Sequence, residues 1–597
     1  MRIPRNNLWL RTSKSDIIGD FVGTNSIDFY SNRGAVKVSP RTIVTTDDIT
    51  DLGVPVGFLT FADQSGGNTY TWCVAGSYVF RMVFSSGHQT AFAKDATANT
   101  PTILSSDVSD IVAFGRDYMI ISSATDIHKF TASSGAWSET TGTPYTSSSA
   151  HILCVYGSRV YVSDVVPSGG SAGIYVKSFV PSDINTITTS GSNSLNLANR
   201  GYPVTLISTM KATSSRIWIG TINQVENGCR VFAWDGATAN DPNEAYIIPD
   251  AAGINAMIIK DDSPWVIDNT GRLMYFNGGS FVEAPNGRLP VKLGKMLKNA
   301  LSSVNDRWIH PNGIGIVDGK IRILINNEYE DNEASIEEFM PSGLYEYDPE
   351  IGWYHLEPLS LYTSTITDYG QNRISRAGAL YAHTSQSSHA SANGSMLMGA
   401  QIYSDATTTK EVIAIDDRND TIQKYGYLVT TKIFSSQVQD FWQKLHVRFK
   451  KFLDSSDKII VKYRTDDPAP VEYTGTWTST TTFTVSADLS SKVGYEVEVL
   501  QGKGGGKCSH ISTASYSNPT TTITVDETYT GCTSGTFKFR IQNWKKIGAL
   551  AKQTVKIDQF TIGQNDPWIQ FKVCMQFTGK GEVYDLLLAK TTNQPIN

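Results

Sequence analysis

The chain has 597 residues, more than one hydrophobic core can organise, so about two to four domains are expected. Charged residues make up only 18% while aromatics reach 11%, with 12 Trp and 27 Tyr, a bias toward the half-buried pleated surface of strands. A net charge of −6 gives no global attraction to phosphate backbones, and no apolar run is long enough for a transmembrane helix.

The opening MRIPRNNLWLRTSKSD lacks an apolar h-region, so it is expected not to be a secretory signal. Residues 1–49 read as an arm that also starts a closure of the following repeat. From about residue 50 to 420 one pattern recurs: two apolar-alternating runs around a short polar or glycine turn, which is a hairpin signal. It appears as DIVAFGRDYMIISSA (110–124), ILCVYGSRVYVSD (152–164), VTLISTMKATSSRIWIG (204–220), INAMIIKDDSPWVIDN (254–269) and GIGIVDGKIRILINN (313–327).

A second hairpin follows each of these. Its first strand carries an aromatic (Phe130, Phe179, Trp234, Phe276, Tyr347), and in three copies its partner opens with another: Trp137, Phe281 and Trp353. Four strands restarting every few tens of residues make the blade unit of a β-propeller, whose radial stacking covers faces that one sheet cannot bury alone. An earlier copy fits VGFLTFADQSGGNTYTWCVAGSYVFRMV, and a degraded later one fits RAGALYAHTS with SMLMGAQIYSDATTTKEVIAIDD, giving about seven blades. The aromatics read as wedges between blades. One interruption near 289–304, within LPVKLGKMLKNALSSVNDRW, has Val291, Leu293, Met296, Leu297, Ala300, Leu301 and Val304 at helical spacing, for a blade-capping helix or a subunit contact.

Beyond about residue 420 the repeat ends. Residues 421–471 and 541–597 read as a C-terminal β-sandwich, jelly-roll-like. In its strand WIQFKVCMQF, Ile569, Phe571, Val573, Met575 and Phe577 point to a core, while Gln570, Lys572, Cys574 and Gln576 point to a wetter face. The basic run WQKLHVRFKK reads as a solvated strand face. Between the two halves, 472–540 is a Thr/Gly-rich insertion in which Trp477, Phe483, Val485, Val497, Val499, Ile511, Ile523 and Val525 could make a small barrel core. The fold class expected is therefore all-β: a propeller of about seven blades, then a sandwich carrying a small β-barrel insertion.

No residue is singled out as catalytic, cofactor-binding or metal-binding. GGSAG (169–173) matches a bare G-x-S-x-G, but Ser171 lies between strands rather than on a strand–turn–helix elbow. GKGGGK (502–507) is flanked by strands, and Cys508 stands where a phosphate loop needs a hydroxyl. TASSGAW (131–137) lacks the aspartate of the sialidase box, and DDRND (416–420) reads as a solvated loop before a calcium site. The six cysteines, Cys73, Cys154, Cys229, Cys508, Cys532 and Cys574, form no CxxC pair; free thiols in a cytoplasmically made protein are expected, with a Cys508–Cys532 bridge the other possibility.

Irregular blades with a lone helix, GIGIVDGKIRILINN and GLYEYDPEIGWYHL, the terminal WIQFKVCMQF and the opening DFVGTNSIDFYSNRGAVKVSPRTI together resemble the tail hub or nozzle proteins of short-tailed bacteriophages, also called packaged-DNA stabilisation proteins. The resemblance implies a non-enzymatic structural protein of the virion tail. It implies a ring of copies, commonly six, that meets portal or adaptor proteins and tail fibres or a needle. Genomic DNA would pass through the channel without sequence-specific contact. Two alternatives stay open: a receptor- or carbohydrate-binding propeller at the tail tip or in a fibre, and a propeller hydrolase.

Overall fold

The computed structural model describes residues 27–28, 36–38 and 42–44 and, from 53 to 592, all but 63–68, 86–88, 94–101, 105, 134–135, 143–149, 167–172, 189–190, 224–227, 290–308, 318, 326–342, 350–351, 358–373, 383–395, 404–408, 417–424, 430–432, 435–439, 450–456, 467–470, 502–508, 530, 552–556, 565 and 577–581. Among these residues the regular structure is β-strand, apart from short 3-10 turns at Leu197–Arg200 and Ser490–Lys492. The helix expected near 289–304 falls outside the described residues, except for buried Leu289.

Seven antiparallel sheets follow one another among the described residues. Their innermost strands are, in order, Pro55–Ala62, Val108–Phe114, Leu153–Tyr156, Leu206–Ala212, Ile254–Lys260, Ile314–Val317 and Ile374–Ala382. We number the blades 1 to 7 accordingly. Each inner strand touches the next, and the seventh returns to the first, so the strands close a ring. Blades 2 to 6 are each built from two successive hairpins, as the repeated sequence pattern requires.

Blade 7 is made differently. Its first three strands, Ile374–Ala382, Met396–Tyr403 and Thr409–Asp416, are consecutive, but the fourth is Thr42–Val44 from the other end of the chain. That strand closes the ring. A few residues earlier, Val36–Val38 pairs with Glu582–Thr592 in a sheet of the C-terminal region. The arm therefore belongs to the last blade and to the C-terminal sheet at once.

The C-terminal region packs two sheets face to face. One contains Ile27–Asp28, Val36–Val38, Glu582–Thr592, Asp440–Phe449 and Ile557–Gln564. The other contains Tyr425–Val429, Trp568–Gln576, Lys458–Arg464 and Lys545–Ala551. Alternation decides what lies between them: Trp442, Leu445, Val447 and Phe449 from the first sheet meet Ile459, Val461, Ile569, Phe571, Val573 and Met575 from the second.

The insertion is a closed six-stranded antiparallel barrel of Val471–Trp477, Thr482–Val485, Thr520–Val525, Ser509–Ser517, Glu496–Gln501 and Thr536–Gln542. All eight residues expected in its core are there, joined by Tyr529, Phe537 and Phe539. Trp477 stacks on Phe537 with ring centroids 4.4 Å apart, and Phe483 meets Phe537 edge-on at 5.1 Å. Offset and edge-on aromatic pairs of this kind add about 0.5–1.5 kcal/mol each beyond the area they bury.

Two expectations need correction. The second face of Trp568–Gln576 is not wet: Gln570, Lys572 and Cys574 are all buried, because the barrel lies over that face of the sheet. The cysteines are not all free either. Cys73, Cys154, Cys229 and Cys532 are buried free thiols, whereas Cys574 is disulfide-bonded; Cys508 falls outside the described residues. Since Cys532 is free, the alternative Cys508–Cys532 pairing does not occur.

Candidate functional site

The axis of the propeller is the first place to look, because inner strands converge there. Ahead of blade 6 the chain makes a tight turn in which Gly313 N–H donates to the carbonyl of His310 at 2.7 Å and Asn312 N–H donates to His310 Nδ1 at 3.1 Å. The turn aims Asn312 at several other blades. Its Nδ2 donates to Asp110 Oδ1 of blade 2 at 2.9 Å and to the Val56 carbonyl of blade 1 at 3.2 Å. Its Oδ1 accepts from Lys211 Nζ of blade 4 at 3.4 Å, and its own carbonyl accepts from Leu380 N–H of blade 7 at 2.7 Å.

Asp110 carries the same network to blade 3. Its Oδ2 accepts from Leu153 N–H at 2.9 Å, and its Oδ1 also accepts from Ile111 N–H. The carboxylate is buried, and each oxygen has a donor, the arrangement a buried charge requires. Asn312 and Asp110 thus tie six of the seven blades together at one level of the axis. Neither residue was a candidate from sequence; a single Asp at the head of an inner hairpin and an Asn in a turn look like ordinary strand and turn residues.

The aromatics of the repeat hold neighbouring blades together. Tyr347 Oη donates to the Pro285 carbonyl at 2.6 Å, and Trp353 Nε1 donates to the Gly287 carbonyl at 2.8 Å, both from blade 6 to blade 5. Tyr161 of blade 3 meets Trp234 of blade 4 edge-on at 5.5 Å and donates to the Gly236 carbonyl. Phe130, Phe179, Trp234, Tyr347, Phe281 and Trp353 are buried, as wedges between blades must be; Phe276 is only partly buried, and the side chain of Trp137 falls outside the description.

The sequence motifs with possible chemistry do not assemble into one place. Ser171 and residues 502–507 fall outside the described residues, as do 417–420 after Asp416, which pairs with Thr42. Of TASSGAW, residues 131–133 and 136–137 lie on the paired outer strands of blade 2, with Ala132 opposite Trp137. Among the described residues no group of three or more His, Cys, Asp or Glu side chains could hold a metal ion. Burial pushes the thiols of Cys154 and Cys229 up to about 12, so neither is a thiolate nucleophile at neutral pH.

The densest buried charge lies where the barrel meets the sandwich. The sandwich presents a face of lysines and the barrel a face of acids. Lys462 Nζ donates to Glu496 Oε2 at 2.5 Å, and Lys572 Nζ donates to Glu496 Oε1. All three side chains are sealed from solvent. At the margins Lys458 pairs with Glu527 at 2.6 Å and Lys546 with Asp526 at 3.2 Å. Trp544 covers the site, with the Arg464 guanidinium 4.6 Å and the Lys572 ammonium 5.9 Å from its ring centroid.

Electrostatics follow from that packing. Glu496 is driven up by burial, but the two ammonium groups outweigh this and hold it at about 2. Lys462 is pulled down to about 8, first by burial and then by the like charge of Lys572, against the attraction of Glu496. Two cations sharing one anion leave one positive charge in excess, which makes the junction sensitive to any further charge.

No family model matches this chain, and no curated protein matches it. Several solved structures align with it at low identity. The extracellular domain of BT4673 from B. thetaiotaomicron aligns at 12% identity and a TM-score of 0.37, over 72% of this chain and 46% of that one. The chain thus spans about half the length of that extracellular domain. BBS1N, from a complex with ARL6DN, aligns at 9% identity and 0.36, over 64% of this chain and 99% of that one. Regucalcin from Agrobacterium tumefaciens aligns at 11% and 0.28, over 52% and 94%. At such scores none of them contributes to a functional argument.

Proposed function

We propose that the chain is a structural protein of a bacteriophage tail, a hub or nozzle subunit that rings the axial DNA conduit, retains the packaged genome and releases it on ejection. The reading rests on the resemblance in sequence. The structural observation that most favours it is the shared arm: Val36–Val38 joins the C-terminal sheet, and Thr42–Val44 then closes the last blade. Propeller and sandwich are thereby tied at both ends of the chain, as a stiff building block needs.

In this reading the conduit runs between copies of the chain. It does not run through the propeller, whose own axis is crossed by Asn312 and its partners. The protein is non-enzymatic, and its partners are further copies of itself, portal or adaptor proteins and tail fibres or a needle. DNA passes without sequence-specific contact.

A second reading is receptor or carbohydrate binding. The barrel favours it, since its hairpin of Ser509–Ser517 and Thr520–Val525 leaves Tyr516 exposed, an aromatic ring with a polar tip. Electron cryo-microscopy separates the two. Closed rings of the purified chain, about six copies round an open axis and continuous with the portal in intact particles, are the expected result. Monomers at every concentration, together with peripheral density in particles and saturable glycan binding lost on Tyr516→Ala, would replace the first reading with the second.

A further inference from the structure

We propose that the barrel–sandwich junction is an acid-sensitive joint: His510 of the barrel, sealed against the lysine face of the sandwich, gains a charge on mild acidification and loosens the barrel from the sheet. The inference does not depend on the phage reading. It begins with a side chain that points outward from a barrel strand and is nevertheless buried, because the sandwich covers it. His510 Nε2 has no hydrogen-bond partner. Nδ1 lies 3.4 Å from Asp526 Oδ2, close enough for charge attraction but without hydrogen-bond geometry.

The charged groups of the elements packed round the imidazole already have ion-pair partners. From the sandwich come Lys462 and Lys572, both on Glu496, and Lys546, on Asp526. Lys458 is matched by Glu527 at the margin. On the barrel, Glu498 is held by Arg540 at 2.5 Å. A proton on His510 adds a cation to a site where two ammonium groups already share one carboxylate; Asp526 and the shared Glu496 are the anions that favour it.

The direction of the response is consistent across the site. Burial, and after it the Lys462 charge, lower the proton affinity of His510 below its ordinary value of 6.5. Lys462, Glu496 and Asp526 are lowered too. All four groups therefore hold fewer protons docked than free, so docking weakens as pH falls. Lys462 accounts for the alkaline range between 10.5 and about 8; below neutrality His510 responds first, as pH drops through 6.5, and the carboxylates follow only as it drops through the 3.8 and 4.5 of free Asp and Glu.

Hydrogen exchange on the full chain tests this, with reductant present so that the Cys574 disulfide does not tether the sheet. Protection of Lys458–Arg464 and Trp568–Gln576 is read relative to blade 4's Leu206–Ala212, which cancels the intrinsic pH dependence of exchange. We expect relative protection to fall about tenfold between about pH 7 and about pH 5 in the natural protein, and by less than about threefold in His510→Gln. Lys462→Met, which removes the cation that lowers the proton affinity of the ring, is expected to blunt the fall as well and serves if His510→Gln does not fold. No fall in the natural protein, or an equal fall in whichever variants fold, overturns the proposal.

Discussion

Asn312, in the turn that enters blade 6, donates through Nδ2 to Asp110 Oδ1 of blade 2 at 2.9 Å, a contact between residues 202 positions apart. It fixes opposite parts of the ring against each other, and its removal takes one donor from a buried carboxylate oxygen that otherwise accepts from Ile111 N–H. Asn312→Ala is expected to destabilise the propeller by about 1–3 kcal/mol, the cost of leaving a buried polar group short of a donor. Asp110→Ala with Asn312→Ala should cost less than the sum of the single changes, which a double-mutant cycle in urea would read out.

At the seam where blade 7 meets blade 1, glycine is required by space. A Cβ on Gly378 would lie 2.1 Å from the Pro55 carbonyl oxygen, and one on Gly399 would lie 2.4 Å from Pro55 Cβ. Neither obstacle is a flexible side-chain end. Gly378→Ala is expected to separate these strands and lower the thermal midpoint by several degrees, whereas Gly279→Ala, on an exposed turn, leaves it within a degree or so. Differential scanning fluorimetry on the pair checks this.

Trp353 contributes in two ways, through packing and through its hydrogen bond to Gly287. Trp353→Phe keeps most of the packing and is expected to cost about 1–3 kcal/mol for the orphaned carbonyl and lost volume; Trp353→Ala should cost about 3–5 kcal/mol. Chemical denaturation followed by circular dichroism would show whether the two differ in that order.

Lys462 gives a prediction on the alkaline side. It titrates at about 8 in the folded protein against 10.5 ordinarily, so the unfolded chain holds more protons between those values and stability rises with pH across that window. Lys462→Met leaves Glu496 paired one-to-one with Lys572 and should remove that rise. Below pH 8 it is expected to be neutral or stabilising by about 1 kcal/mol, because the surplus buried charge is gone. Glu496→Ala, which leaves both lysines unmatched, should instead destabilise by about 3–5 kcal/mol. Barrel-specific melting at pH 7 and 10 would distinguish the outcomes.

The amino-acid sequence by itself determined the strands, their hairpin pairing and the inward residues of each. A strand's side chains alternate with a period of two, and a short turn joins a run only to its neighbour, so Phe130, Trp234 and Tyr347, or Trp477, Phe483 and Ile523, declare their side locally. Tertiary structure alone decided the rest. Thr42–Val44 became the fourth strand of the last blade, Asn312 found Asp110, and the polar face of Lys572 and Gln570 was buried by a barrel that brings Glu496 to meet it. Those outcomes join residues that lie far apart along the chain. A lysine on the outer face of a strand has the same neighbours in sequence whether water or another domain covers it, and only the folded chain distinguishes the two.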